Sequence, residues 1–245
     1  MKTKKYCFIL VLIIASNAHA QLSGGIRAGG NYTDILVPSN QKYYKFKPGF
    51  HAGAYMEYDF TEKLSFQTEV VYSKKGCDYK YSNSSSLIIA GQPTTITTDY
   101  KVRYDLVSID LPFLLNINFG EMGSYIGLGP QVSFLVSSRS EGEITNTISN
   151  PYSVSTFTYP SNKDIWNKVD FGAVIGTGSK FASGIEYCIR AGYGLTSPVV
   201  FYKSSGVSSD EKYHHLVFTI SLGYAFGETS GSYVSGGKYS KRRRH

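Results

Sequence analysis

From Gln21 to Phe226 the chain alternates, apolar residues on one parity and small or polar residues on the other. A β-strand produces this period of two when its faces meet unlike surroundings. The clearest run is 50–60: Phe50, Ala52, Ala54, Met56, Tyr58 and Phe60 share one face, and His51, Gly53, Tyr55, Glu57 and Asp59 the other. Seven further runs obey the same rule, at 22–33, 64–73, 101–119, 125–137, 168–177, 184–196 and 214–226. Pro112 falls on the polar parity of its run and predicts a bulge, because proline cannot donate to a ladder. Eight strands are therefore expected, an even number that returns both ends of a closed sheet to one side.

The connectors alternate as well. Those at 61–63, 120–124 and 178–183 are short, while 34–48, 74–99, 138–165 and 197–212 are long. Short periplasmic turns and long external loops characterise outer-membrane barrels. The apolar parity carries no charge through the middle of any strand. The other parity is rich in glycine and holds a few charges of both signs: Arg27, Glu57, Glu69, Asp110, Asp170, Glu186 and Arg190. Aromatics recur near strand ends (Tyr58, Phe60, Phe119, Tyr125, Tyr224, Phe226), as an interfacial girdle requires. The pattern predicts an all-β fold, an eight-stranded antiparallel transmembrane β-barrel with up-and-down meander topology over residues 21–226, apolar side facing lipid. The competing fold is a soluble periplasmic lipocalin-like binding barrel, with the apolar parity inward and a water-facing exterior dense in Lys and Glu.

The first twenty residues fit a secretory signal peptide. Lys2, Lys4 and Lys5 precede an apolar run from Tyr6 to Ile14, followed by Ala18-His19-Ala20, which predicts cleavage before Gln21. That apolar run is well short of the roughly 20 residues a spanning helix needs. Cys7 stands at its front, not behind small residues at its end, so no lipid anchor is implied. With Tyr 21, Phe 14 and Gly 25 against 18% charged residues, the composition is β-rich and too aromatic for disorder. The net charge of +7 belongs to the two ends. Lys2, Lys4 and Lys5 contribute three positives; Lys238, Lys241, Arg242, Arg243 and Arg244 less Glu228 contribute four, so the rest sums to zero. Residues 227–245 are expected to form a flexible basic tail, and no nucleic-acid partner is implied.

An eight-stranded barrel is only wide enough for side chains to fill it. The inward charges are thus expected to pair in a structural polar network, Arg27 and Arg190 against some of Glu57, Glu69, Asp110, Asp170 and Glu186. A narrow ion or solute channel is the alternative use of the same residues. Cys77 and Cys188 could form a disulfide in an oxidising compartment, but their strand positions favour free thiols. His214 and His215 open the last strand beside a Ser-rich segment and are the only candidates for outer-membrane acyl-transfer or proteolytic chemistry. As strand neighbours they point to opposite faces, so no enzyme is expected. No Cys or His cluster has zinc spacing and no glycine-rich phosphate loop precedes a helix, so no metal or cofactor is expected. The segments 74–99 and 138–165, rich in Ser, Thr, Asn and Tyr, are candidate loops for a protein or glycan partner.

Several segments also carry a family likeness. Gly24-Gly25-Ile26-Arg27-Ala28-Gly29 with Asn31-Tyr32, Gly49-Phe50-His51-Ala52-Gly53, and the run from Leu64 to Gly76 resemble the PorT-type outer-membrane β-barrel family of Bacteroidota. So do Ile109-Asp110-Leu111-Pro112, Tyr125 to Pro130, and the closing Ser221 to Phe226. The resemblance implies a barrel like the OmpX and OmpA membrane domains in a Gram-negative outer membrane and, in at least one member, a role in protein secretion. Tyr224 and Phe226 resemble the terminal aromatic signal read by the barrel-insertion machinery, although nineteen residues follow where members usually stop. The expected function is that of a non-enzymatic outer-membrane barrel with a structural, adhesive or secretion-accessory role, acting through its extracellular loops and periplasmic side.

Overall fold

The computed structural model describes residues 22–36, 43–119, 123–149, 152–159, 166–196 and 213–226. The signal peptide expected at 1–20, the tail expected at 227–245 and the connector at 197–212 lie outside these residues. No helix among them is long and apolar enough to cross a membrane.

The described residues form nine antiparallel strands, in order β1 (Leu22–Leu36), β2 (Tyr44–Thr61), β3 (Leu64–Ile89), β4 (Gln92–Phe119), β5 (Ser124–Ser149), β6 (Tyr152–Tyr159), β7 (Val169–Lys180), β8 (Ile185–Gly194) and β9 (His214–Phe226). Eight of them close a ring in the order β1-β2-β3-β4-β5-β7-β8-β9, with β9 returning to β1 from Gly24↔Phe226 to Leu36↔His214. The ninth, β6, lies off the ring. It pairs with the far half of β5, from Gly142↔Tyr159 to Ser149↔Tyr152, while β7 pairs with the near half.

The two faces of the ring differ as the period of two requires. Outward residues are exposed aliphatics and aromatics on every ring strand, among them Met56 at 58%, Leu128 at 58% and Leu222 at 67%. Their strand neighbours Glu57 and Ser221 are buried. A continuous apolar exterior around a polar interior is stable only against lipid, which excludes the inverted, lipocalin-like arrangement. Tyr125 departs from the girdle expected of it: it sits on the inward parity and is buried at 2% exposure.

One end of the ring is closed by tight turns. Thr61 Oγ1 accepts from the Leu64 amide at 3.0 Å, and Gly123 and Gly184 take positive φ (62° and 85°) that a side chain would strain. Toward the other end, Ile35, Cys77, Leu106 and Trp166 form a small apolar core, with Tyr44, Tyr104, Leu135 and Tyr213 packed against it.

Two expectations fail here. Pro112 marks no bulge: the β4–β5 register is unchanged from Pro112↔Gln131 to Leu115↔Leu128. The shift falls higher, where Val107↔Ser137 gives way to Ser108↔Leu135, so that Val136 is the extra residue. More consequentially, 74–99 and the described part of 138–165 are not loops. The first is mostly the paired continuation of β3 and β4, joined at Ala90-Gly91 (φ 50° and 77°), the left-handed pair of a two-residue hairpin turn. The second holds the upper part of β5 and all of β6. Beyond the bilayer both faces of a strand meet water, so the polarity alternation fades while the hydrogen-bond ladder continues.

Candidate functional site

The inward face of the ring is crowded with charge at several levels. Nearest the tight turns, Lys180 of β7 pairs with Glu57 of β2, which also accepts from Ser65 Oγ at 2.6 Å. At mid-height, Arg190 of β8 forks onto Glu69 of β3, with Nη1–Oε2 2.8 Å and Nη2–Oε1 2.6 Å. Arg27 of β1 stands between Glu69 (3.3 Å) and Glu186 (3.2 Å), its guanidinium 4.4 Å above the Tyr55 ring. Tyr55 Oη in turn donates to Glu186 at 2.8 Å. Higher up, Lys75 of β3 holds Asp110 of β4 at 2.7 Å, and Asp170 accepts from Thr196.

In an eight-membered ring β2 and β7 are diametrically opposite, as are β3 and β8. The Lys180–Glu57 and Arg190–Glu69 pairs therefore span the full bore at two heights. Glycine makes room for them: a Cβ on Gly176 would lie 2.4 Å from the Arg190 side chain, and one on Gly25 2.6 Å from the Tyr55 ring. Between the mid and upper levels a void of about 50 Å³ remains, lined by His51, Arg27, Lys75, Asp110 and Arg190 among others. It has room for a few waters. His51 bridges its wall, Nδ1 to Asn31 at 2.6 Å and Nε2 to Ser221 at 2.7 Å.

Arg27 and Arg190 thus share Glu69, and Arg27 also meets Glu186. Glu57 and Asp110 instead find lysines, and Asp170 a threonine. Although close to two carboxylates, Arg27 has no acceptor in hydrogen-bonding alignment, so its attraction is coulombic and cation–π. Lys75 and Lys180 were not anticipated, because the expected strand limits stopped just short of each. Parity alone would have found them: Lys75 continues the odd inward series of Glu69 and Ser73, and Lys180 the even series of Asp170, Gly172 and Gly176.

The histidines of β9 diverge. His214 stacks on the outward Tyr193 ring at 5.1 Å and its Nδ1 meets Gly194 O at 2.8 Å, while His215 lines a small inner cavity with Lys75, Trp166 and Asp170. Cys77 and Cys188 are free and buried. Among the described residues no group of His, Cys, Asp or Glu could hold a metal ion.

The other candidate surface is the continuation of β3, β4, β5 and β6. From Tyr72 to Ile89 the strand β3 rises about 55 Å at a strand's usual advance per residue. Its foot is braced by Lys47–Asp105 at 2.8 Å and Lys74–Asp105 at 3.4 Å. Cross-strand side-chain hydrogen bonds link it to β4 and β4 to β5: Ser84–Thr97 hydroxyls at 2.9 Å, and Thr98 Oγ1 donating to Asn146 Oδ1 at 2.8 Å. Leu87, Ile88 and Ile89 are exposed at the tip.

A family model described as outer membrane protein beta-barrel domain matches residues 15–200. No curated protein sequence matches. Among solved structures, the attachment invasion locus protein Ail of Yersinia pestis is similar at 11% identity and TM-score 0.36, covering 84% of this chain and 99% of that one. Neisserial surface protein A is similar at 14% identity and TM-score 0.36, covering 83% and 97%. OprG from Pseudomonas aeruginosa is similar at 16% identity and TM-score 0.32, covering 86% and 99%.

Proposed function

The chain belongs to the outer membrane protein β-barrel domain family, and on that premise we propose that it is a closed, non-enzymatic surface protein whose working part is the sheet built by β3 to β6. The carrying observation is that β3 and β4 stay paired for about 50 Å beyond the lipid-facing band, with β5 alongside most of the way and β6 beside the upper part of β5. A barrel needs only some 9 to 11 residues per strand to cross a bilayer, and β3, β4 and β5 run to 26, 28 and 26. The excess forms a stiff platform rather than a loop, suited to holding a partner away from the membrane. The lumen network has a structural role, tying opposite walls of the bore together. Tyr224 and Phe226, facing outward at the periplasmic end of the last strand, serve as the insertion signal read internally. The PorT-type resemblance favours a secretion-accessory role over a purely adhesive one.

Two measurements test this. Reconstituted into planar bilayers, the folded chain should give no unitary current steps; steady conductance would replace the closed barrel with the channel reading. In cells, deletion of residues 83–98 should leave a heat-modifiable barrel in the outer membrane but abolish the adhesion or secretion phenotype restored by the full chain. Full restoration by the shortened chain would refute the platform.

A further inference from the structure

The mouth of the barrel carries a feature that neither the lumen network nor the sheet explains. Above the apolar core of Ile35, Cys77, Leu106 and Trp166 opens a cleft of about 510 Å³, within the range of small-ligand sites. Six tyrosines line it, converging from four places: Tyr43 and Tyr44 at the start of β2, Tyr79 and Tyr81 on β3, Tyr104 on β4, and Tyr213 just before β9. We infer that this cleft is a binding site for a neutral saccharide chain, a reading that rests on the surface role proposed above and gives it a ligand class.

The rings are held in place rather than collapsed. Tyr43 meets Tyr81 edge-on at 4.9 Å and 89°, and Tyr44 meets Tyr79 at 5.2 Å and 63°. Tyr104 is anchored by an edge contact to Trp166 at 5.4 Å. All six remain half-buried, unlike a core layer, which would be closed off. Tyrosine presents an apolar ring and a polar tip and has few rotamers to freeze, so a preset array binds at low entropic cost.

The chemistry of the wall selects the ligand. Among the described residues its only other lining residue is Val102, and none of their charged side chains lines the space. Lys80, Lys101 and Arg103 lie on the opposite parity and are exposed. Burial, with neighbouring phenols, raises Tyr44, Tyr79 and Tyr104 above the ordinary phenol value, so they stay neutral donors. An anion would meet no cation among the described lining residues. A wholly apolar ligand would strip water from phenol hydroxyls without replacing it. A pyranose has a C–H face to lie on a ring and hydroxyls to meet phenol oxygens, and several in series match several rings.

The test uses the full chain folded in detergent micelles, titrated with maltohexaose, mannohexaose and chitohexaose, with a heparin hexasaccharide as the anionic comparison. Binding is read by saturation-transfer NMR and calorimetry. At least one neutral hexaose should bind with a dissociation constant of about 1 mM or tighter. Tyr79→Ala and Tyr81→Ala, which spare the apolar core beneath, should each weaken it about tenfold, and Tyr81→Phe by less. No neutral binding up to about 10 mM, binding of the heparin fragment alone, or wild-type affinity in both alanine variants would overturn the inference. The heat-dependent gel shift of each sample reports separately whether the barrel itself is folded.

Discussion

Replacing Glu69 by glutamine removes one charge from the centre of the barrel while keeping the volume. In the wild type the carboxylate, 1% exposed, accepts both terminal nitrogens of Arg190 from the opposite wall and lies 3.3 Å from Arg27. Glutamine offers one acceptor oxygen in place of two and turns an NH₂ toward a guanidinium. Arg190 is then left without its carboxylate partner, and Arg27 keeps only Glu186, which also accepts from Tyr55 Oη. Breaking a buried pair by removing one partner costs about 3 to 5 kcal/mol, and because Arg190 loses its carboxylate partner and Arg27 one of two the upper half of that range is expected. The assay is urea unfolding of the barrel in detergent micelles, followed by its heat-dependent gel mobility. A companion cycle with Arg190→Met should show coupling of about 2 kcal/mol, since the double variant leaves fewer orphaned charges. A loss below about 1 kcal/mol for Glu69→Gln would mean that water screens these charges, and the diametric clamp would be refuted.

Leu128, outward and exposed, should tolerate arginine poorly, losing about 2 to 4 kcal/mol at mid-bilayer, whereas Gln131→Arg on the lumen side should differ in size; equal small losses in the same unfolding assay would invert the facing of β5. For Asp105, partial burial raises the carboxyl, but the hydrogen bond and charge of Lys47 and the charge of Lys74 outweigh it and hold the group below its ordinary value. A depressed folded value means its stabilisation is present above the unfolded carboxylate value and is lost as pH falls through the folded one; carboxyl NMR should show Asp105 titrating below a free aspartate, and a normal or raised value would dissolve the Lys47–Asp105–Lys74 brace. Cys77 and Cys188, free and buried, should resist alkylation in the folded barrel, react after boiling, and give no reductant-dependent gel shift; rapid labelling of the folded form would contradict their burial.

The barrel itself was legible along the chain because a closed transmembrane sheet forces every strand to obey one rule. Lipid outside and a narrow polar bore inside make each residue's parity a statement about its surroundings, so the alternation from Leu22 to Phe226 already contained the eight strands of the ring and their facing. The same rule explains the failures. From Ser82 onward both faces of β3 are exposed, parity carries little contrast, and Ser82–Ser86 and Thr94–Thr98 read as loop although their backbones are paired. Lys75, toward the outer end, and Lys180, at the turn end, keep the inward parity of their strands and lie just beyond the expected limits at 73 and 177.

What the chain determined unaided was therefore which side of each strand meets lipid, since that depends on residue type and a fixed two-residue repeat. Which carboxylate meets which cation depended on tertiary structure. Glu69 reaches Arg190, and Glu57 reaches Lys180, across more than a hundred residues, because ring closure and strand stagger set the opposing heights. The gathering of six tyrosines into one cleft has the same origin: they come from distant segments, and only the closed ring brings those segments to a common mouth.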